Sequence, residues 1–95
     1  MSPPRRIDWR KQAVDDMAAI GRHIALHSPI NADRFLDEIV AHVELLTIYP
    51  FMGRSGLKPG TRELIVHTHY LVIYRVLPTV ISVLRVKHVA KKRPP

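Results

Sequence analysis

Cysteine is absent from this chain, and with it go a disulfide framework, a thiolate nucleophile and any cysteine-bound metal. Glycine is scarce as well, with four residues in 95. Gly53, Gly56 and Gly60 sit in a loop that opens no helix, which excludes a phosphate-cradling glycine loop. The few serines lack the strand–turn–helix context of a hydrolase nucleophile. No apolar run approaches the roughly 18 residues needed to span a bilayer. The opening MSPPRRIDWR has no apolar centre of a secretory signal, so the expectation is a soluble cytoplasmic protein.

Acidic residues are missing from one half. Residues 1–53 carry six Lys/Arg against seven Asp/Glu, whereas residues 54–95 carry nine Lys/Arg against Glu63 alone. Such asymmetry focuses a positive field and favours nucleic acid or an acidic protein as partner; the plainer reading is a basic end that aids solubility. What remains is ordinary: 46% hydrophobic and 24% charged residues describe a globular chain, and the length fits one domain over residues 1–95.

Arg5 to Trp9 alternates, with Ile7 and Trp9 on one side, and predicts a short edge strand. From Lys11 the period changes. Ala13, Met17, Ile20 and Ile24 share one stripe of a helix of about four turns. Asp15 and Asp16 on that helix are expected to be solvated. Ser28-Pro29 reads as an N-cap and first helical residue, and the second helix presents Phe35, Ile39, Val43 and Leu46, widened by Leu36 and Val40. The short gap makes the two helices an antiparallel hairpin. YPFMGRSGLKPG is a connecting loop. Strands follow at about Arg62–His67, Tyr70–Val76 and Val80–Lys87, joined too tightly for anything but antiparallel pairing, and residues from about 89 to 95 form a basic, flexible tail. The fold class is α+β: a short N-terminal strand and a helical hairpin packed on a small C-terminal antiparallel sheet.

Alternation groups His67, His69, Leu71, Ile73 and Arg75 on one face of the middle strand, and Ile81, Val83, Arg85 and Lys87 on one face of the last. Either face has an apolar middle, so which one packs on the helices stays open. His67 and His69, or His23 and His27, have spacings that a metal can bridge, but neither pair has the acid of a recognised motif, and no metal or cofactor is expected. RNA cleavage is the one reaction the residue types suit. It needs a general base, a general acid and cations around the phosphorane. His67, His69 and His88 with Arg62, Arg75 and Arg85 supply those groups.

Ala13, Asp16, Met17 and Ile20 after Trp9, the loop YPFMGR, then Gly60, Arg62, Glu63 and Leu64, the run Tyr70 to Val76, and Leu84 to His88 form an ordered set. Together they resemble the RelE/ParE superfamily of type II toxin–antitoxin toxins, over nearly the whole chain. The resemblance implies the α+β fold already read from periodicity. It also implies an antitoxin that wraps the toxin as a hetero-oligomer, an acidic and partly disordered protein for which Arg62, Tyr70, Tyr74 and Arg75 are contact candidates. RelE-like members cut mRNA on the ribosome, whereas several ParE-like members block DNA gyrase and support plasmid stabilization.

The RelE branch has a catalytic arginine just after the tyrosine of the middle strand; here that residue is Leu71. Its paired lysines correspond to about Arg62 and Leu64, and its later arginine falls near Val89 or Ala90. The similarity is therefore closer to ParE, with no catalytic residue and with target contacts expected from Arg85, Lys87, His88, Lys91, Lys92 and Arg93. The alternative is a YafQ-like, ribosome-dependent mRNA interferase using Arg62, His67, His69, Arg85 and His88.

Overall fold

Ile7 and Trp9 turn one side of the first strand towards apolar neighbours, and that strand, β1 (Arg6–Trp9), opens the fold. The computed structural model describes residues 3–89; Lys91, Lys92 and Arg93 of the expected basic tail lie outside them. Helix α1 (Lys11–Ala25) follows β1 directly, and α2 (Pro29–Glu44) follows after a short turn. Ser28 caps α2 through its Oγ, which accepts from the Asn31 N–H at 3.3 Å, and Pro29 opens the helix where its missing N–H costs nothing. A 3₁₀ turn over Leu45–Thr47 ends the hairpin. Strands β2 (Arg54–Ser55), β3 (Arg62–His67), β4 (Tyr70–Val76) and β5 (Val80–His88) complete the chain.

The five strands lie in the order β1-β5-β4-β3-β2. Strands β2 to β5 pair antiparallel, but β1 runs parallel to β5, matching Arg6–Trp9 with Val80–Val83. The first strand is thus an edge strand, as expected, and its partner is the last one. Strand β2 lies inside the stretch read from sequence as pure loop; two residues leave no periodicity to detect.

The helical hairpin covers one face of the sheet. Ala13, Ile39, Val43 and Leu46 meet Leu64, Val66, Val72, Tyr74, Ile81, Val83 and Val86, with Met17, Ile20 and Phe35 packed against them. The strict alternation expected of β5 fails here. Ile73 pairs with Arg85 but Tyr74 pairs with Val83, so Leu84 is an extra residue, a β-bulge. Ile81 and Val83 face the core, and after the bulge Val86 does so while Arg85 and Lys87 are turned away from it. A second shift between Ile65 and His67 sets His67 opposite Tyr70, which pairs in turn with His88, so His67 does not share a strand face with Leu71 and Ile73 as the simple count implies.

Candidate binding site at the open end of the sheet

Strand β1 accompanies β5 only as far as Val83, whose carbonyl accepts from the Arg10 N–H at 2.9 Å. Beyond that point the edge of β5 needs another partner for its backbone. Asp16 of α1 supplies it. Its Oδ2 accepts from the Val86 N–H at 2.9 Å and from Arg85 Nε at 2.8 Å, and its Oδ1 accepts from Arg85 Nη2 at 3.0 Å. The Asp16 side chain is only 17% exposed, which corrects the expectation of a solvated residue. Asp15 does face solvent, paired with Lys11. Burial pushes the Asp16 carboxyl up, but the Arg85 and Val86 hydrogen bonds, with the charges of Arg85 and Lys87, jointly outweigh it and hold the group below its usual range. The same hydrogen bond raises Arg85.

Next to this contact lies a recess of about 590 Å³ between α1 and the β4–β5 end, lined by His23, Tyr70, Arg85, Lys87 and His88 together with Asp16 and its neighbours on α1. His23 and His88 line it, and a series of ring contacts leads away from His88. His69 and His88 stack with centroids 5.6 Å apart and planes within 2°, and Tyr70 meets His88 edge-on at 5.2 Å. His67 lies 6.2 Å from His69 and 4.8 Å from the Phe35 ring. The structure therefore brings His67, His69 and His88 together. Arg62 is five residues from His67 along β3, roughly 17 Å at ordinary strand rise, and does not join them. His23, considered from sequence only as a partner of His27, belongs to this recess; its two-turn spacing from Asp16 on α1 was the available signal. Among the described residues no group of three or more His, Asp or Glu is arranged to hold a metal.

The cross-strand row Glu63–Ile73–Arg85 lies on the face away from the helices. A second groove there, of about 510 Å³, is lined by apolar Leu57, Ile73 and Leu84 and by cationic Arg10, Lys58, Arg75, Arg85 and Lys87. Glu63, 3% exposed, is ion-paired with Arg54 at 3.3 Å. Arg85 and Lys87 line both depressions and so mark the divide between them.

The candidate antitoxin contacts separate into two kinds. Tyr74 is fully buried, accepts from the Gly53 N–H at 3.0 Å and donates to the Pro50 carbonyl at 2.9 Å. It has no surface to offer a partner, which removes it from that set. Arg62 is half-buried and engaged, donating from Nε to the Gly53 carbonyl at 3.0 Å and from Nη2 to that of Phe51 at 3.2 Å, with its guanidinium over the exposed Phe51 ring. These two residues hold the loop that follows the hairpin. Arg75, by contrast, lines the outer groove, and Tyr70 the recess.

Residues 7–93 match the model of a family described as the ParE toxin of the type II toxin–antitoxin system parDE. Toxin RelE2 of Caulobacter vibrioides is 31% identical over 86 residues, which cover 90% of this chain and 97% of that protein. Among solved structures, the chromosomal ParDE toxin–antitoxin system from P. aeruginosa superposes with a TM-score of 0.82 at 28% identity, covering 93% of this chain and 99% of the other. The toxin–antitoxin complex RelBE2 from Mycobacterium tuberculosis shares the fold, with a TM-score of 0.60 at 22% identity over 90% of this chain and 98% of its own.

Proposed function

Since this chain belongs to the ParE family and is a toxin component of a type II toxin–antitoxin system, we propose that it arrests growth by gripping a nucleic-acid-handling enzyme, DNA gyrase, and not by cutting RNA. One observation carries this reading. Leu71 stands where the resemblance puts the catalytic arginine of the RelE branch, and it is completely buried. An aliphatic side chain without solvent exposure gives a developing phosphorane neither charge nor hydrogen bond. The cations that remain, Arg85 and Lys87, lie at one end of the sheet beside His88 and form the described part of the gripping surface. A cognate antitoxin, the second partner, neutralises the toxin, in keeping with the complexes formed by the structural relatives.

A second reading has its own support. The adjacency of His67, His69 and His88 assembles imidazoles, the kind of acid–base group that a ribosome-dependent mRNA interferase needs. Against it, Arg62 is engaged with loop carbonyls at a distance. Induction of the chain, with mRNA 5′ ends mapped alongside DNA supercoiling and the DNA-damage response, separates the two. Gyrase inhibition gives DNA damage without codon-positioned cuts; such cuts establish the interferase instead.

A further inference from the structure

We propose that the segment closing the helical hairpin, Leu45 to Met52, is a self-association surface through which two copies of this chain meet about a two-fold axis. The contact is separate from the choice of target enzyme and does not depend on it.

Residues 45–53, LLTIYPFMG, carry no charged side chain. Five of their large apolar side chains nevertheless face solvent: Leu45, Ile48, Tyr49, Phe51 and Met52 are 43 to 65% exposed. Two successive turns hold them together. The amides of Ile48 and Tyr49 both donate to the Leu45 carbonyl, at 3.1 and 2.9 Å, which gives Leu45, Ile48 and Tyr49 the i, i+3, i+4 spacing of one helical side. The Met52 amide then donates to the Tyr49 carbonyl at 3.1 Å and closes a tight turn that carries Phe51. The backbone beneath is anchored from inside. Tyr74 bridges the Pro50 carbonyl and the Gly53 amide, and Arg62 donates to the carbonyls of Phe51 and Gly53. A base fixed in this way loses little freedom on docking, so more of its apolar burial counts towards association.

Size and charge select the occupant. With about 150–250 Å² for an aromatic side chain and somewhat less for an aliphatic one, the exposed parts amount to about 500 Å² per copy. Two copies together bury about 1,000 Å², which reaches the lower bound of a specific interface. Aromatic and methionine side chains without charge at the centre are the composition of a homodimer contact. The charges bordering the surface are Glu44 and Arg54 at its two ends, Glu63 paired with Arg54, and Arg62 over the Phe51 ring. Two acids and two bases cancel, so two copies meet there without like-charge repulsion. An acidic antitoxin is steered instead towards the cationic outer groove. Tyr74, the anchor of the segment, lies four residues along β4 from Tyr70, the strand partner of His88, or about 13 Å at ordinary strand rise. The pair therefore keeps Lys87 and His88 of each copy away from the contact.

The test is sedimentation velocity of the purified full-length chain, without antitoxin, over about 1 to 200 μM. The expected result is a reversible monomer–dimer equilibrium with a dissociation constant of about 1–100 μM, the dimer having twice the 10.9 kDa mass of the chain. Raising salt from about 50 to about 500 mM changes the constant by less than about threefold, because screening acts on charges and not on apolar burial. Ile48→Glu and Tyr49→Glu each place a carboxylate inside the contact and weaken it by at least about tenfold, with far-UV circular dichroism unchanged. Leu26→Glu, at an exposed apolar position in the turn between the helices, leaves it unchanged. A chain that is monomeric at every concentration, a dimer that dissociates in salt, or one that persists in both Ile48→Glu and Tyr49→Glu overturns the proposal. A monomeric chain whose co-purification with antitoxin is lost in those two variants gives the surface to the antitoxin and overturns it equally.

Discussion

Asp16 and Arg85, 69 positions apart in the chain, meet through two hydrogen bonds of 2.8 and 3.0 Å, and the same carboxylate satisfies the backbone N–H of Val86. One side chain thereby joins α1 to β5 just past the point where β1 stops. Replacing it with asparagine keeps the shape and removes the charge; the expected loss is about 2 kcal/mol, read by chemical denaturation at pH 7. The Asp16 carboxyl is held below its unfolded value, so its stabilisation is complete above the ordinary carboxylate range and is lost as pH falls through the lower folded value. The wild type therefore loses more stability than Asp16→Asn on acidification below about pH 4, and parallel acid titration curves for the two proteins contradict the assignment.

Tyr74→Phe takes away a buried hydroxyl that bridges Gly53 and Pro50. The Gly53 amide then has no acceptor in a dry environment, at an expected cost of about 1–3 kcal/mol. Hydrogen exchange at Gly53 speeds up locally while β5 stays protected, a pattern that heteronuclear NMR resolves.

Gly53→Ala acts on the same loop from the other side. A Cβ there lies 2.6 Å from the Glu63 carbonyl oxygen and 2.7 Å from the Tyr74 hydroxyl, and backbone cannot step aside as a flexible side-chain end can. The expected destabilisation is about 1–3 kcal/mol, seen as a lower denaturation midpoint.

The proposed target surface calls for a more selective variant than wholesale alanine replacement. Arg85→Ala breaks the α1–β5 contact as well as removing a cation, so its loss of toxicity is ambiguous. Lys87→Ala with His88→Ala leaves Asp16, Arg85 and the Val86 amide in place. The pair is expected to relieve growth arrest on induction while co-purification with the antitoxin persists. Undiminished arrest removes these residues from the target contact.

Much of this architecture is legible in the sequence because it depends on local periodicity. The stripe Ala13–Met17–Ile20 and the Ser28-Pro29 cap mark both helices before any tertiary contact is known, and Arg62–His67 and Tyr70–Val76 coincide with the observed strands. The site is less legible, since it depends on departures from periodicity. A single bulge at Leu84 changes which residues of β5 face the core, and nothing in VISVLRVKH marks the extra residue. Asp15 and Asp16 are alike in sequence, yet one pairs with Lys11 in solvent and the other caps a sheet edge 70 residues away. Tyr74 looks like a contact residue until its neighbours bury it. The parallel partner of β1 has no local signature at all.

That parallel pairing has a temporal consequence. Arg6–Trp9 can find its neighbour only after Val80–Val83 exists, so on a translating ribosome the first strand waits for most of the chain to be made. Long-range pairing of this kind is slow to form and late to reward. The brace from α1 to Arg85 and Val86 depends on the same last strand, so this end of the sheet is completed only once β5 has been made.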